Sequence, residues 1–167
     1  MTIGNRAARL VQGAQAQIDE LSGLLSTADD AAMRLPCPGR GKLGDGTVGA
    51  TATHTADNYR RLARFLDGTP QPSDHDPASG HDNGYSANDV TLDELLARLT
   101  AAREALARMA ALKDEELDAH PPETGMRFAD GQRTLEQVVL SALKHQRHQI
   151  DAIEAALRPT SPRAIAE

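Results

Sequence analysis

Four stretches of this chain place apolar residues at steps of three and four, and no convincing strand pattern accompanies them. Such a period of about 3.6 residues is the mark of an amphipathic helix, whose apolar stripe has to be buried against another element. The first stretch is "NRAARLVQGAQAQIDELSGLLS", with Leu10, Val11, Ala14, Ile18, Leu21 and Leu25 on one face. The second is "VGATATHTADNYRRLARFLDG", with Val48, Ala52, Thr55, Tyr59, Leu62 and Leu66. The third, "VTLDELLARLTAAREALARMAALKDEELDA", carries Leu92, Leu95, Leu96, Leu99, Leu106, Met109 and Leu112. The fourth runs from Leu135 to Leu157, and Pro159 stops it. Four helices with one apolar stripe each solve their burial problem by packing together, so the pattern predicts an all-α four-helix bundle.

The punctuation supports these boundaries. Thr47 is a candidate N-cap for the second helix, and Asp89 or Thr91 for the third. Thr134, with Gln137 three residues on, has the spacing of a capping box. Gly68 ends the second helix. Between the first two helices, Thr27 to Met33 suits one short helical turn. Pro36, Pro38 and a run of glycines from Gly39 then forbid regular structure, while Leu35, Cys37 and Leu43 can anchor the connection. Residues 67–89 have no apolar period and are rich in Asp, Gly, Pro and Ser. A loop that long in a small domain is commonly functional or disordered, and a lid is one reading of it. The bundle is expected as a single domain over residues 1–157, with long loops after helices one and two and a frayed tail over 158–167.

Composition narrows the function. A chain of 167 residues buries enough surface to fold without disulfides, and its single cysteine, Cys37, permits no intrachain one. That usage, with no secretory signal visible, suits a cytoplasmic location. No apolar run approaches a membrane span, so no membrane partner is expected. The formal charge is −6 and no basic stripe with interleaved aromatics exists, so nucleic acid is not an expected partner either. Cys37 between two prolines reads as a small buried hydrophobe rather than a reactive thiol. His75 and His81, among Asp74, Asp76 and Asp82, read as a solvated loop, with a second metal site as the sharper alternative.

The chemistry concentrates on "SALKHQRHQIDAI" in the fourth helix. On a helical wheel Leu135, Val139, Ala142, Gln146, Ile150, Ile153 and Leu157 define the inward direction. Gln149 lies about 60° to one side and His145 about 100° on the same side. His148 falls farther round, on the flank. On the second helix His54 sits beside the apolar stripe, and Asn58 and Arg61 follow it at steps of four and three. If the two shoulders face each other, imidazoles converge at the edge of the bundle. Neutral imidazole is the commonest ligand of the late divalent metals, and three protein ligands with an open position make a catalytic site. The alternative is equally physical: H-x-x-H on a helix is common, and flanking histidines are often merely solvated. Asn58 and Arg61 read either as groups that orient a ligand or as ordinary helix-surface residues.

The ordered combination resembles a family. A "PCPGR" loop, a Gly/Val-containing helix start, "HTADNYRRLARFL", a long loop, a third helix and a final helix with paired histidines is similar to the DinB-like (YfiT-like) metal-binding proteins over roughly residues 5 to 157. The resemblance implies an up-up-down-down four-helix bundle, a homodimer in many members, and a divalent ion, zinc or nickel, held by three histidines. One comes from helix two, where His54 stands, and two from helix four. His145 matches the first of those. The second usually stands four residues on, where this chain has Gln149, and His148 is the nearest imidazole. The third ligand is therefore His148 or Gln149. Known activities in the family imply a small-molecule substrate and a metal that activates a low-molecular-weight thiol, of the mycothiol or bacillithiol type, or water. A non-catalytic metal or small-ligand module, and a structural dimerising bundle without metal, are the competing expectations.

Overall fold

The computed structural model describes residues 5–40, 43–68, 90–124 and 126–158. The chain is helical, with no strand among the described residues. Helix α1 (Arg6–Ser26) is capped by Asn5, and the short α2 (Asp30–Met33) by Asp29. Next come α3 (Val48–Leu66), capped by Thr47, and α4 (Leu92–Ala107), capped by Thr91. A 3-10 turn (Arg108–Ala111) and the short α5 (Asp114–Asp118) lead to the long α6 (Leu135–Leu157). The expected loop of residues 67–89 and the tail after Arg158 fall mostly outside the described residues, and His75 and His81 with them.

The four long helices share one core. Helices α1 and α3 each pack against both α4 and α6, so α1 and α3 take diagonal positions with the other two between them. Leu21, Leu25, Leu95, Leu99, Ile150 and Ile153 fill the centre and are fully buried. Each such side chain removed from water contributes about 1.5–3 kcal/mol. With so few aromatics, Tyr59 is the one large ring in that centre among the described residues. Its hydroxyl donates to Gln17 Oε1 at 2.8 Å, and Gln17 Nε2 donates to the Leu143 carbonyl at 3.0 Å. Burial pushes the Tyr59 hydroxyl far above its ordinary pKa, so it stays protonated and structural.

The first half of α3 is enclosed on every side: Val48 to Ala56 are all buried. Small residues permit that close approach. The buried threonines satisfy themselves within the helix, with Thr53 Oγ1 donating to the Gly49 carbonyl at 2.8 Å and Thr55 Oγ1 to that of Thr51 at 2.7 Å. The glycine-rich connection before α3 folds back on itself. Cys37 N–H donates to the Gly46 carbonyl at 2.8 Å and Val48 N–H to that of Leu35 at 2.9 Å. Gly46 takes a φ of 74°, a left-handed value that glycine adopts without steric cost. This fold-back seats Arg40 and Leu43 beside the middle of α3.

One stretch departs from the periodic reading. The third apolar segment does not continue as one helix to Ala119. It tightens at Arg108–Ala111, Leu112 turns extended, and a new helix starts at Asp114. Three acidic residues, Asp114, Glu115 and Glu116, sit in that new first turn, where the helix dipole favours them. Glu116 Oε2 also accepts the Lys113 N–H at 2.8 Å. The break lets Met109 and Leu117 both turn inward. The Leu135 N–H then donates to the Ala119 carbonyl at 2.8 Å and ties α5 to the start of α6.

At that start, Thr134 and Gln137 exchange both bonds of a capping box. Thr134→Ala should lower the unfolding free energy by roughly 0.5–2 kcal/mol, and Thr134→Ser should retain most of it. Urea denaturation followed by circular dichroism measures both.

Candidate functional site

Two buried shoulders face each other across the α3–α6 seam. His54 on α3 is 4% exposed, and the half-buried His145 on α6 stands with its ring centre 6.4 Å away, nearly perpendicular to it. Gln149, one turn beyond His145, is 2% exposed. Its Nε2 lies 3.3 Å from His145 Nε2, while its Oε1 is buried and has no hydrogen-bond partner among the described residues. His148 is exposed on the outer side of α6 and does not line the pocket that these residues form. The helical period decides this: one residue is about 100° of rotation, so Gln149 and His148 cannot face the same way.

A chain of amides fixes His54. Gln146, at the centre of the inward face of α6 and 2% exposed, donates from Nε2 to the Thr55 carbonyl at 2.8 Å. A carbonyl only accepts, so the Gln146 amide is oriented with Oε1 outward. That oxygen accepts from Asn58 Nδ2 at 3.3 Å, and the same Nδ2 lies 3.0 Å from His54 Nε2. The Asn58 nitrogen has two hydrogens and serves both partners. His54 Nε2 therefore accepts, and a neutral His54 ring carries its proton on Nδ1.

An open pocket of about 270 Å³ covers this pair. It is lined by Arg40 and Leu43 of the fold-back loop, by His54, His145 and Gln149 of the two helices, and by Arg127. Arg127 belongs to the segment between α5 and α6. The residue after it, Phe128, holds a φ of 76°, a left-handed value that costs a bulky residue energy. This backbone turn sets the Phe128 ring 6.2 Å from that of His145, and the Arg127 and Arg133 guanidiniums lie over its faces at 5.2 and 5.6 Å. A small void of about 30 Å³ on the other side of His145 is lined by Asn58, Arg61, Met126 and Phe128 among others.

The residues singled out by sequence thus separate. His54, His145, Gln149 and Asn58 come together; Arg61 lies on the neighbouring void; His148 lies outside. Arg40, Arg127, Phe128 and Gln146 complete the site and were not read as part of it. Gln146 did carry a signal, as a polar residue at the centre of an apolar face. Cys37 is buried, its thiol pushed up by desolvation, so it is no ready nucleophile.

As a metal site, the donor set is two imidazoles and one amide oxygen. No cluster of three or more His, Cys, Asp or Glu side chains suited to a metal exists among the described residues. The buried and unpartnered Gln149 Oε1 is nonetheless what a third ligand would look like, because a buried acceptor with nothing to accept is costly. The residues therefore fit a weakly held divalent ion.

The family model described as the DinB superfamily matches residues 8–153. No curated protein and no solved structure matches the chain.

Two outcomes follow from this geometry. Gln146→Leu strands the Thr55 carbonyl and the Asn58 amide, and should cost about 1–3 kcal/mol in a urea melt. Cys37 should react with a chromogenic disulfide far more slowly in the native chain than in denaturant; equal rates would contradict its burial.

Proposed function

The chain belongs to the DinB superfamily, and from that premise we propose that it binds one divalent metal ion, zinc or nickel, through His54, His145 and Gln149 Oε1. We read its four long helices as the up-up-down-down bundle of that superfamily. The observation that carries the metal reading is that two imidazoles from separate helices, 6.4 Å apart between ring centres, share a pocket with Gln149, whose buried amide oxygen has no partner among the described residues. His54 Nε2 offers its lone pair, and a metal would take it in exchange for the Asn58 N–H. His148, facing away, is not a ligand in this reading.

When bound, such an ion supplies Lewis acidity: it lowers the pKa of a coordinated thiol or water, or polarises an electrophile. The protein does the rest. Gln146 and Asn58 hold the His54 ring in one orientation, as outer partners of metal ligands commonly do. The open pocket admits a small substrate, and the proposed reaction is attack of a low-molecular-weight thiol or water on a small electrophile. A cytoplasmic location and a homodimer belong to the same proposal; among the described residues no helix is long and apolar enough to cross a membrane.

The neutral third donor favours a second reading, a metal or small-ligand binder without turnover. A thiol-transfer assay with cysteine or glutathione and a chromogenic aryl halide separates the two.

Titration of the metal-free chain with zinc should find about one binding site per chain. In calorimetric titrations, His54→Ala and His145→Ala should weaken zinc by more than the roughly 10–100-fold that loss of an outer partner causes. His148→Ala should leave affinity unchanged, and Gln149→His should tighten it. Metal-free wild type that takes up no zinc or nickel sinks the proposal.

A further inference from the structure

We propose that the pocket over His54 and His145 takes a small anion, its carboxylate or phosphate group held between Arg40 and Arg127. This rests on reading that pocket as the binding site, and not on a metal being there. Sign is the first argument. The chain carries a net charge of −6, yet no described Asp or Glu lines this pocket, whereas two guanidiniums do. A concave patch of opposite sign on an acidic protein concentrates anions.

Arg40 is the second argument. Its backbone is set by the fold-back loop, where Arg40 N–H donates to the Cys37 carbonyl at 3.1 Å. Its Nε is buried and has no hydrogen-bond partner among the described residues. A buried guanidinium N–H without an acceptor is unfavourable, and an oxyanion supplies that acceptor. Arg127 lines the same pocket, its guanidinium carbon 5.2 Å from the centre of the Phe128 ring. Guanidinium forks match carboxylate and phosphate oxygens, which a single ammonium does less well. The volume, about 270 Å³, suits a ligand of few atoms.

The test is calorimetric titration of the full, chelator-treated chain with malonate, inorganic phosphate and, as neutral control, malonamide. Malonate or phosphate should bind at one site and malonamide should not; the tighter of the two anions identifies the group recognised. Arg40→Ala and Arg127→Ala should each weaken that anion by about tenfold or more, a loss of about 1.4 kcal/mol, with circular dichroism unchanged. If Arg40→Ala unfolds, Arg40→Gln takes its place. The chelator-treated chain reads anion binding without metal, and a zinc titration of the same sample reads the metal site separately, so a failed metal site and a failed anion site give different results. Absence of binding by both anions at millimolar concentration overturns the inference, as do unchanged affinities in both arginine variants or equal binding of malonamide.

Discussion

The hydrogen bond from Gln146 to the Thr55 carbonyl is the contact on which the rest of the site depends. It joins α6 to α3 inside their buried seam. A polar group there is tolerated only because it is satisfied, and satisfying it dictates the orientation of every amide outward of it. Asn58 follows from Gln146, and the accepting state of His54 Nε2 follows from Asn58. Packing alone would bring α3 and α6 together. This relay specifies which nitrogen of His54 is basic, and so turns a helix contact into a site.

The same seam explains why α3 begins with small residues and threonines. Enclosure on all sides leaves no room for bulk, and the threonine hydroxyls return to their own helix. His54 is thereby buried on a rigid element rather than carried on a loop, which suits a group that has to be held in one orientation. The opposite wall is built differently. Arg40, Arg127 and Phe128 stand on irregular segments fixed by glycine turns on one side and by a strained residue on the other. A rigid floor under walls made of loops is a common division of labour in binding sites.

Much of the fold was legible because helix periodicity is a strong local signal. The stripes around Ile18, Leu62, Leu99 and Ile150 appear as buried faces, and the caps at Thr47, Thr91 and Thr134 form. The interruption at Arg108–Leu112 was not legible, since no glycine or proline marks it; tertiary burial of Met109 and Leu117 decides it. Within the site, the wheel separated Gln149 from His148 by rotation alone, and their burial follows that rotation. Arg127 and Phe128 were beyond reach, because no residue type announces a left-handed phenylalanine. The place of Arg40 beside His54 depends on the fold-back of the loop, which no local pattern announces.

The most direct measurement is two-dimensional NMR of the imidazole nitrogens as zinc is added to the metal-free chain. The account predicts that His54 and His145 shift together and saturate at about one equivalent, while His148 stays unmoved. A response of His148, or of His75 and His81, with His54 and His145 unchanged would contradict it.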